Sequence, residues 1–184
     1  MKRGFDIVLS LLALLALSPV LAAAAVAVAI DSGFPVLFRQ HRVGLGGRTF
    51  AMLKFRSMVE DAAAIGPYFT SDKDPRITRV GRFLRRTSID ELPQLWNVLR
   101  GDMSLVGPRP DLPVQASLYT PADWSLRCSV RPGLTGLAQA TLRSQATPEQ
   151  RLAADLDYAR RPGLWRDLRI IASTFGRLTG QGSN

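Results

Sequence analysis

The chain has 184 residues, with 24 Lys and Arg against 15 Asp and Glu, which gives a formal net charge of +9. This length suits one domain with an appendage, and the excess of positive charge points to an anionic partner: nucleic acid, an anionic membrane surface or a phosphorylated ligand. Cys128 is the only cysteine and His41 the only histidine, so an internal disulfide is excluded and a Cys/His zinc site is disfavoured. A metal ion here would use oxygen ligands, which favours Mg²⁺ or Mn²⁺.

The first long element is an uncharged segment that runs from Ile7 to Ile30. As one straight helix it would measure about 36 Å, enough to cross a hydrocarbon core of about 30 Å. A membrane span is therefore the ordinary interpretation. A secretory signal peptide is disfavoured because the apolar stretch is long and Asp6 interrupts the basic start.

The pair Ser18-Pro19 interrupts that segment near its middle. Pro19 removes a backbone donor and clashes with the carbonyl of Leu15, which predicts a kink, and the Ser18 hydroxyl can bond a freed carbonyl. Basic residues flank the segment on both sides, whereas a spanning helix should carry the positive bias on one side. We therefore favour a re-entrant membrane helix-break-helix over residues 1–33, which returns to the cytoplasmic face, over a simple span.

The rest of the chain predicts an α+β fold that is mostly helical. Residues 36–55 read as a β-hairpin whose arms are joined by a glycine-rich turn. A helix is predicted over 57–66, and another opens at Thr147 with Pro148 at its first position. The last helix is amphipathic, with Leu164, Leu168, Ile171, Phe175 and Leu178 on one stripe, and this stripe is either core-facing or interfacial.

Residues 84–110 carry most of the chemistry that the sequence reveals. They contain the adjacent acids Asp90 and Glu91, and an arginine between prolines in Pro108-Arg109-Pro110. Ser88 and Glu91 fit a capping box, which would place both acids at the positive end of a helix dipole. The ordinary interpretation is that the two acids only favour a helix start. The functional one is chemistry on phosphate, because carboxylates beside guanidinium groups can hold a hard cation and a phosphate together.

The chain resembles the bacterial sugar transferase family, the monotopic polyprenyl-phosphate phosphoglycosyl transferases, in the small form that consists of the catalytic unit. The segments that carry the resemblance are KRGFD at the start, the Ser18-Pro19 break, KFRSM (54–58), the ungapped block 74–110 and RPGLTGLAQA (131–140). One departure follows the last segment. Thr141-Leu142-Arg143-Ser144 stands where the family commonly has Asn-Gly-Arg-Asn, which leaves the sugar preference open.

The resemblance implies a reaction and a place for it. A nucleotide-diphosphate sugar, usually a UDP-sugar, gives its sugar-1-phosphate to undecaprenyl phosphate, and the products are a polyprenyl-diphosphate-sugar and UMP. Asp90 matches the family's nucleophile, which forms a covalent phosphosugar in a ping-pong scheme. Glu91 matches the acid that assists with metal or proton, and Mg²⁺ is the expected cofactor at this dyad. The matching supporting positions are Lys54, Arg85, Arg109, Arg143, Asp155 and Asp167, as substrate-binding residues.

This interpretation divides the chain into the re-entrant segment 1–33, a catalytic domain over 34–179 and a disordered tail over 180–184. It predicts amphipathic interfacial helices, contact with membrane lipid and a location on the cytoplasmic face of the bacterial inner membrane. No nucleic acid is expected as a partner, and a homodimer is allowed. The alternative from another class is a non-catalytic, membrane-tethered basic module that binds anionic lipid or nucleic acid, which charge and the apolar anchor alone would permit.

Overall fold

A computed structural model of the chain describes residues 2–66, 74–142 and 146–176. Arg143 and the tail 180–184 lie outside the described residues. The α-helices are α1 (Lys2–Ala16), α2 (Ser18–Ser32), α3 (Ala62–Ile65), α4 (Arg79–Arg86), α5 (Gln94–Arg100), α6 (Pro121–Cys128), α7 (Leu137–Thr141), α8 (Pro148–Arg160) and α9 (Leu164–Gly176). The strands are β1 (Leu37–Val43), β2 (Thr49–Phe55), β3 (Ser104–Val106) and β4 (Gly133–Thr135). Helices make up 60% of the structure and the sheets are small, which confirms the predicted mostly helical α+β class.

Helices α1 and α2 form a bent pair at the predicted break. Their axes turn by 63°, and the Ser18 hydroxyl donates to the Leu15 carbonyl oxygen at 2.8 Å, as the sequence predicts. In the described part of the chain, no helix on its own has both the length and the apolar character needed to cross a bilayer. The bent pair taken together passes that test on length and composition alone.

Both ends of the bent pair are fastened to the rest of the chain. Near its start, the Lys2 ammonium donates to the Val106 carbonyl at 3.1 Å, and Arg3 donates to two carbonyls at the end of α5. At its end, Arg56, the residue directly after β2, donates to the carbonyls of residues 32–34. The large apolar side chains exposed between these two attachments are Ile7, Val8, Leu9, Leu11, Leu12, Leu15, Val20, Val26 and Ile30. The pair therefore leaves the globular body and comes back to it.

The predicted hairpin is present as the antiparallel pair β1–β2, in which Phe38 lies opposite Lys54. The second sheet is the parallel pair β3–β4, which the sequence analysis did not predict. Glycine allows these two segments to cross closely. A Cβ on Gly107 would lie 2.2 Å from the Arg131 carbonyl oxygen, so only a residue without a side chain fits there.

The main core lies where the hairpin, α5, β3 and the last two helices meet. Its buried members are Met52, Leu95, Val98, Met103, Leu105, Val106, Ala140, Tyr158 and Ile170. Asn97, which is inaccessible to solvent, joins α5 to β2 by donating to the Ala51 carbonyl at 2.8 Å and accepting from the Leu53 amide at 3.0 Å. The strand that carries Lys54 is therefore fixed against the helix that follows the dyad.

The structure confirms the predicted helix start at Thr147 but not the predicted capping box at Ser88. Thr147 accepts from the Gln150 amide and caps α8, whose first residue is Pro148, so the predicted helix start is confirmed. The capping box at Ser88 is wrong. Ser88 has a left-handed backbone (φ 57°) and makes no capping hydrogen bond, because the Glu91 carboxylate is engaged by cations from elsewhere in the fold.

The predicted helix over 57–66 is limited to α3, four residues long. In α9 the buried residues are Asp167 and Ile170, whereas Leu168 and Phe175 are 37% and 63% exposed. The core-facing interpretation of the apolar stripe is therefore wrong for these two residues. The interfacial interpretation stays a prediction.

Candidate active site

The two acids of the dyad lie on a short 3₁₀ turn, Ile89–Glu91, directly before α5. The left-handed conformation at Ser88 turns the chain out of α4 and into this turn. The turn packs against β2, which brings Lys54 to the dyad from the hairpin. Asp90 is 7% exposed, so the turn directs one acid inward.

Glu91 is the point at which two cations meet. The Lys54 Nζ atom lies 2.7 Å and the Arg109 Nη2 atom 3.0 Å from the same oxygen, Oε1. Burial alone would raise the pKa of Glu91, but Arg109 and Lys54 lower it to about 2. Burial lowers the pKa of Lys54, and Glu91 opposes that shift. Glu91 is therefore a permanent anion near neutral pH.

Asp90 has the opposite electrostatic character. Among the described residues, its carboxylate takes part in no hydrogen bond and no ion pair. Its charged neighbours act only at longer range. Burial, with some help from Glu91, raises its pKa to about 6, although Lys54, Arg85 and Arg109 work against the rise. A carboxylate of this kind is mostly ionised at neutral pH and unusually basic, which suits nucleophilic or acid–base work.

The backbone that presents Arg109 is held by two other arginines. Arg127 donates to the Arg109 carbonyl at 2.6 Å, and Arg42 donates to the Pro110 carbonyl at 3.0 Å. Arg127 is itself buried between two carboxylates, Asp111 and Asp155. The Arg109 side chain is 53% exposed, so the loop is rigid while its guanidinium remains reachable.

A shallow pocket lies beside these cations. It is lined by Arg42, Met52, Lys54, Gln94, Arg109, Pro110, Gly133 and Leu134. Lys54 and Arg109 line this pocket and also contact Glu91. The pocket wall thus carries three cations and an amide, a set of donors suited to phosphate oxygens.

The structure brings together only part of the predicted site. Lys54 and Arg109 contact Glu91 directly, and Arg85 on α4 acts on Asp90 at longer range. Asp155 instead pairs with Arg127 at 2.9 Å. Asp167 pairs with Lys2 and accepts from the Tyr158 hydroxyl at 2.7 Å. The role of these two acids as substrate-binding residues stays a prediction.

Sequence reasoning missed three residues that belong to this arrangement: Arg42, Gln94 and Arg127. Gln94 had a usable signal, because it lies four residues after Asp90 in a predicted helix, and helical residues four apart are neighbours. Arg42 and Arg127 had none, since their roles depend on tertiary contacts with the loop of residues 108–110.

The donor set of the dyad fits magnesium. Within the described ranges, no group of three or more His, Cys, Asp or Glu side chains could hold a metal ion, so a closed protein cage is not available there. Mg²⁺ commonly binds through one or two carboxylates, water and substrate phosphates. Asp90, unpaired and beside a second carboxylate, offers that kind of partial ligand set.

Comparison with known proteins identifies the chain's relatives. The pattern of the family described as Bacterial sugar transferase matches residues 1–181. The chain therefore belongs to the bacterial sugar transferase family. This membership confirms the resemblance noted in the motifs.

Individual members of the bacterial sugar transferase family match almost all of the chain. UDP-glucose:undecaprenyl-phosphate glucose-1-phosphate transferase of Caulobacter vibrioides is 47% identical, over 94% of this chain and 67% of that protein. A protein of the same name from Xanthomonas campestris pv. campestris is 47% identical, over 96% of this chain but 38% of the relative. Exopolysaccharide production protein PSS of Rhizobium leguminosarum bv. phaseoli is 44% identical, over 95% of this chain and 92% of that protein. The chain thus spans little more than a third of the Xanthomonas relative and nearly all of the Rhizobium one.

The raised pKa of Asp90 predicts a specific dependence of stability on pH. Because the folded-state pKa of about 6 lies above the ordinary 3.8, the folded state holds this proton more tightly than the unfolded state does. The wild type should lose stability as pH rises from about 4 to about 6. Asp90→Asn removes that loss and should raise the free energy of unfolding at pH 7.5 by about 1–3 kcal/mol, with little effect near pH 4. Unfolding in detergent at pH 4, 6 and 7.5 measures it.

Asp157→Asn is the matched control. Asp157 pairs with Arg166, and hydrogen bonding to that arginine lowers its pKa. Its removal should therefore lower stability at pH 7.5, the opposite sign. An Asp90→Asn protein that is no more stable than the wild type at pH 7.5 would contradict the electrostatic account of Asp90.

Proposed function

We propose that this chain transfers sugar-1-phosphate from a nucleotide-diphosphate sugar, a UDP-sugar by analogy with its relatives, to polyprenyl phosphate. The products are a polyprenyl-diphosphate-sugar and UMP. The observation that carries the proposal is the electrostatic division of the dyad: a buried, unpaired Asp90 beside a Glu91 that gathers two cations. Family membership over residues 1–181 supports the reaction class.

Asp90 is the nucleophile in the proposed mechanism. One of its carboxylate oxygens forms a bond to the phosphorus that bears the sugar, and the bond from that phosphorus to the bridging oxygen of UMP breaks. UMP leaves with the bonding electrons. An oxygen of polyprenyl phosphate then attacks the same phosphorus and releases Asp90, which completes a ping-pong cycle. The raised pKa of Asp90 supports this role, because a more basic carboxylate is a better nucleophile.

The cations around the dyad make this attack feasible. A carboxylate and a phosphate repel each other unless positive charge lies close to both. Lys54 and Arg109 provide that charge from two sides, and Arg85 adds a third positive group within electrostatic range of Asp90. The same groups would stabilise charge on the departing UMP.

Magnesium is part of the proposal. Asp90 and Glu91 would hold it, and when bound it supplies Lewis-acid neutralisation of the phosphate charge. The protein's own cations remain responsible for orienting the phosphates. Lys54 and Arg109 are already fixed on Glu91 at 2.7 and 3.0 Å.

The proposal also places the bent helix pair in the cytoplasmic leaflet as a re-entrant segment over residues 1–33, with the catalytic domain of residues 34–179 on the cytoplasmic face. Two observations support it. Both ends of the pair are attached to the same globular body through Lys2, Arg3 and Arg56. Large apolar side chains between the attachments are exposed, and clusters of exposed apolar residues mark surfaces that bind a membrane or another protein.

The nucleophile is tested by UMP release. Purified chain, UDP-glucose or another UDP-sugar, undecaprenyl phosphate and Mg²⁺ should yield UMP, and Asp90→Asn should lower the rate about a thousandfold or more. Enzyme quenched after incubation with labelled donor alone should carry the sugar phosphate on the wild type and not on Asp90→Asn. Asp157→Asn, away from the dyad, should retain the wild-type rate.

UMP release by Asp90→Asn at the wild-type rate would rule out this nucleophile. Repeated absence of the adduct from an active wild type would indicate direct transfer between the two substrates. Salt-dependent binding to DNA or anionic lipid without any UMP release would favour the non-catalytic basic module.

Chelation tests the metal. EDTA in excess should abolish UMP release and MgCl₂ should restore it, because the dyad's cations already serve Glu91 and leave Asp90 without a close counter-charge. The unfolding midpoint in EDTA serves as the control for damage to the fold. A full rate in EDTA would remove magnesium from the proposal.

Labelling from one side of the membrane tests the re-entrant topology. In a Cys128→Ser background, single cysteines are placed at two exposed positions: Gly4, in the first turn of α1, and Arg48, beyond the end of α2. A membrane-impermeant maleimide should label both in inside-out vesicles and neither in intact spheroplasts. Labelling of the two positions from opposite sides would show a spanning segment.

A further inference from the structure

Gln94, the first residue of α5, carries a buried amide that has no role in the mechanism proposed above. It is 3% exposed, and its Nε2 atom has no hydrogen-bond partner among the described residues. A buried donor without a partner costs about 1–3 kcal/mol of stability relative to a satisfied one. Such groups are rare in native proteins and often have a functional explanation.

Asn97, one turn later on the same helix, shows what a structural amide looks like here. Its side chain donates to the Ala51 carbonyl and to Asp102 and accepts from the Leu53 amide. Both amide hydrogens and the side-chain oxygen of Asn97 therefore serve the contacts of α5 with its neighbours. Gln94 has no comparable contact, so packing does not explain why this position carries an amide.

The surroundings of Gln94 identify the chemistry of its ligand. It lines the pocket beside the dyad together with Arg42, Lys54 and Arg109. Burial, and to a smaller extent the nearby Arg109, lower the pKa of Arg42 to about 10. A pocket with three cations and a neutral N–H donor suits an anion with several acceptor oxygens.

Lys54 and Arg109 each donate a hydrogen bond to Glu91, whereas the amide NH2 group of Gln94 has no such partner among the described residues. The oxygen and the NH2 group of a carboxamide are nearly equal in shape. A half-turn about the Cγ–Cδ bond therefore points the NH2 group of Gln94 to either side at little steric cost.

We propose that the Gln94 carboxamide donates a hydrogen bond to a phosphoryl oxygen of a substrate held between Lys54 and Arg109. The inference rests on the proposed phosphoglycosyl transfer and adds to it a substrate-contacting residue. The phosphoryl group belongs either to the nucleotide-sugar donor or to the polyprenyl phosphate. A neutral donor at this place binds phosphate without competing with the cations for Glu91.

The test compares activity and stability in Gln94→Met, which keeps the length of the side chain and removes its donor. The value of kcat/KM for UMP release should fall about ten- to a hundredfold, the expected loss of a hydrogen bond to a charged group. The unfolding midpoint should stay the same or rise, because the variant no longer buries an unsatisfied amide. Gln94→Glu, which places a carboxylate near the phosphate, should lose more activity than Gln94→Met.

Gln150→Met is the matched control, since Gln150 is exposed and completes the capping box of α8. It should lower the unfolding midpoint slightly and leave kcat/KM unchanged, the reverse of Gln94→Met.

Two kinetic measurements on Gln94→Met distinguish a phosphate of the donor from that of the acceptor. A smaller or slower burst of UMP with UDP-sugar alone assigns Gln94 to the donor. A normal burst with slow turnover on added undecaprenyl phosphate assigns it to the acceptor. Wild-type kinetics in both measurements for Gln94→Met would overturn the inference and leave the proposed function intact.

A fall in activity matched by an equal fall in folded protein would also overturn it, because Gln94 would then be structural. A wild type that releases no UMP would reject the proposed function and the inference with it.

Discussion

Lys54 and Arg109 reach the same oxygen of Glu91 from two separate parts of the fold. Lys54 comes from the antiparallel hairpin, Arg109 from the loop after the parallel strand β3, and Glu91 from the turn before α5. Three segments distant in sequence are joined at one atom, and each is held in place from behind. Asn97 fastens β2 to α5, and Arg127 fixes the backbone of Arg109. The positive surface beside the dyad exists only while these attachments hold together.

The two acids of the dyad differ in environment although they are adjacent in sequence. Arg109 and Lys54 lower the pKa of Glu91 to about 2, whereas burial without a close cation raises that of Asp90 to about 6. Neighbouring titratable groups whose pKa values are pushed apart usually have different chemical roles. Here one carboxylate organises the cations, and the other is left without a close counter-charge. Burying Asp90 unpaired costs stability, and that cost is intelligible if the charge is needed for the reaction.

How far the sequence could predict this arrangement depends on how local each signal was. The break at Ser18, the hairpin and the helix start at Thr147 depend on neighbouring residues, and all three are confirmed. The prediction of a capping box at Ser88 was wrong because Lys54 and Arg109, both distant in sequence, bind the Glu91 carboxylate. No local sequence pattern encodes those contacts. The parallel strand β4 was missed because it has only three residues, the first of them Gly133, and is too short to show strand periodicity. The dyad and Arg109, which lies between two prolines, could be found from the sequence pattern, but Lys54 was assigned to the same site only through the family resemblance.

The attachments of the bent helix pair lie close in sequence to the two cations on Glu91. Arg56, which donates to the carbonyls of residues 32–34 at the end of α2, directly follows β2, the strand that carries Lys54. At the other end of the pair, Lys2 contacts the Val106 carbonyl and Asp6 accepts from the Ser104 hydroxyl and the Leu105 amide, so α1 holds β3 just before the Arg109 loop. If the pair is inserted in a leaflet as proposed, its depth in the lipid would determine the positions of β2 and β3, and through these strands the positions of Lys54 and Arg109. These hydrogen bonds would then fix the height of the dyad relative to the lipid headgroups. The phosphate of a lipid carrier would reach Asp90 while its hydrocarbon tail stays in the bilayer.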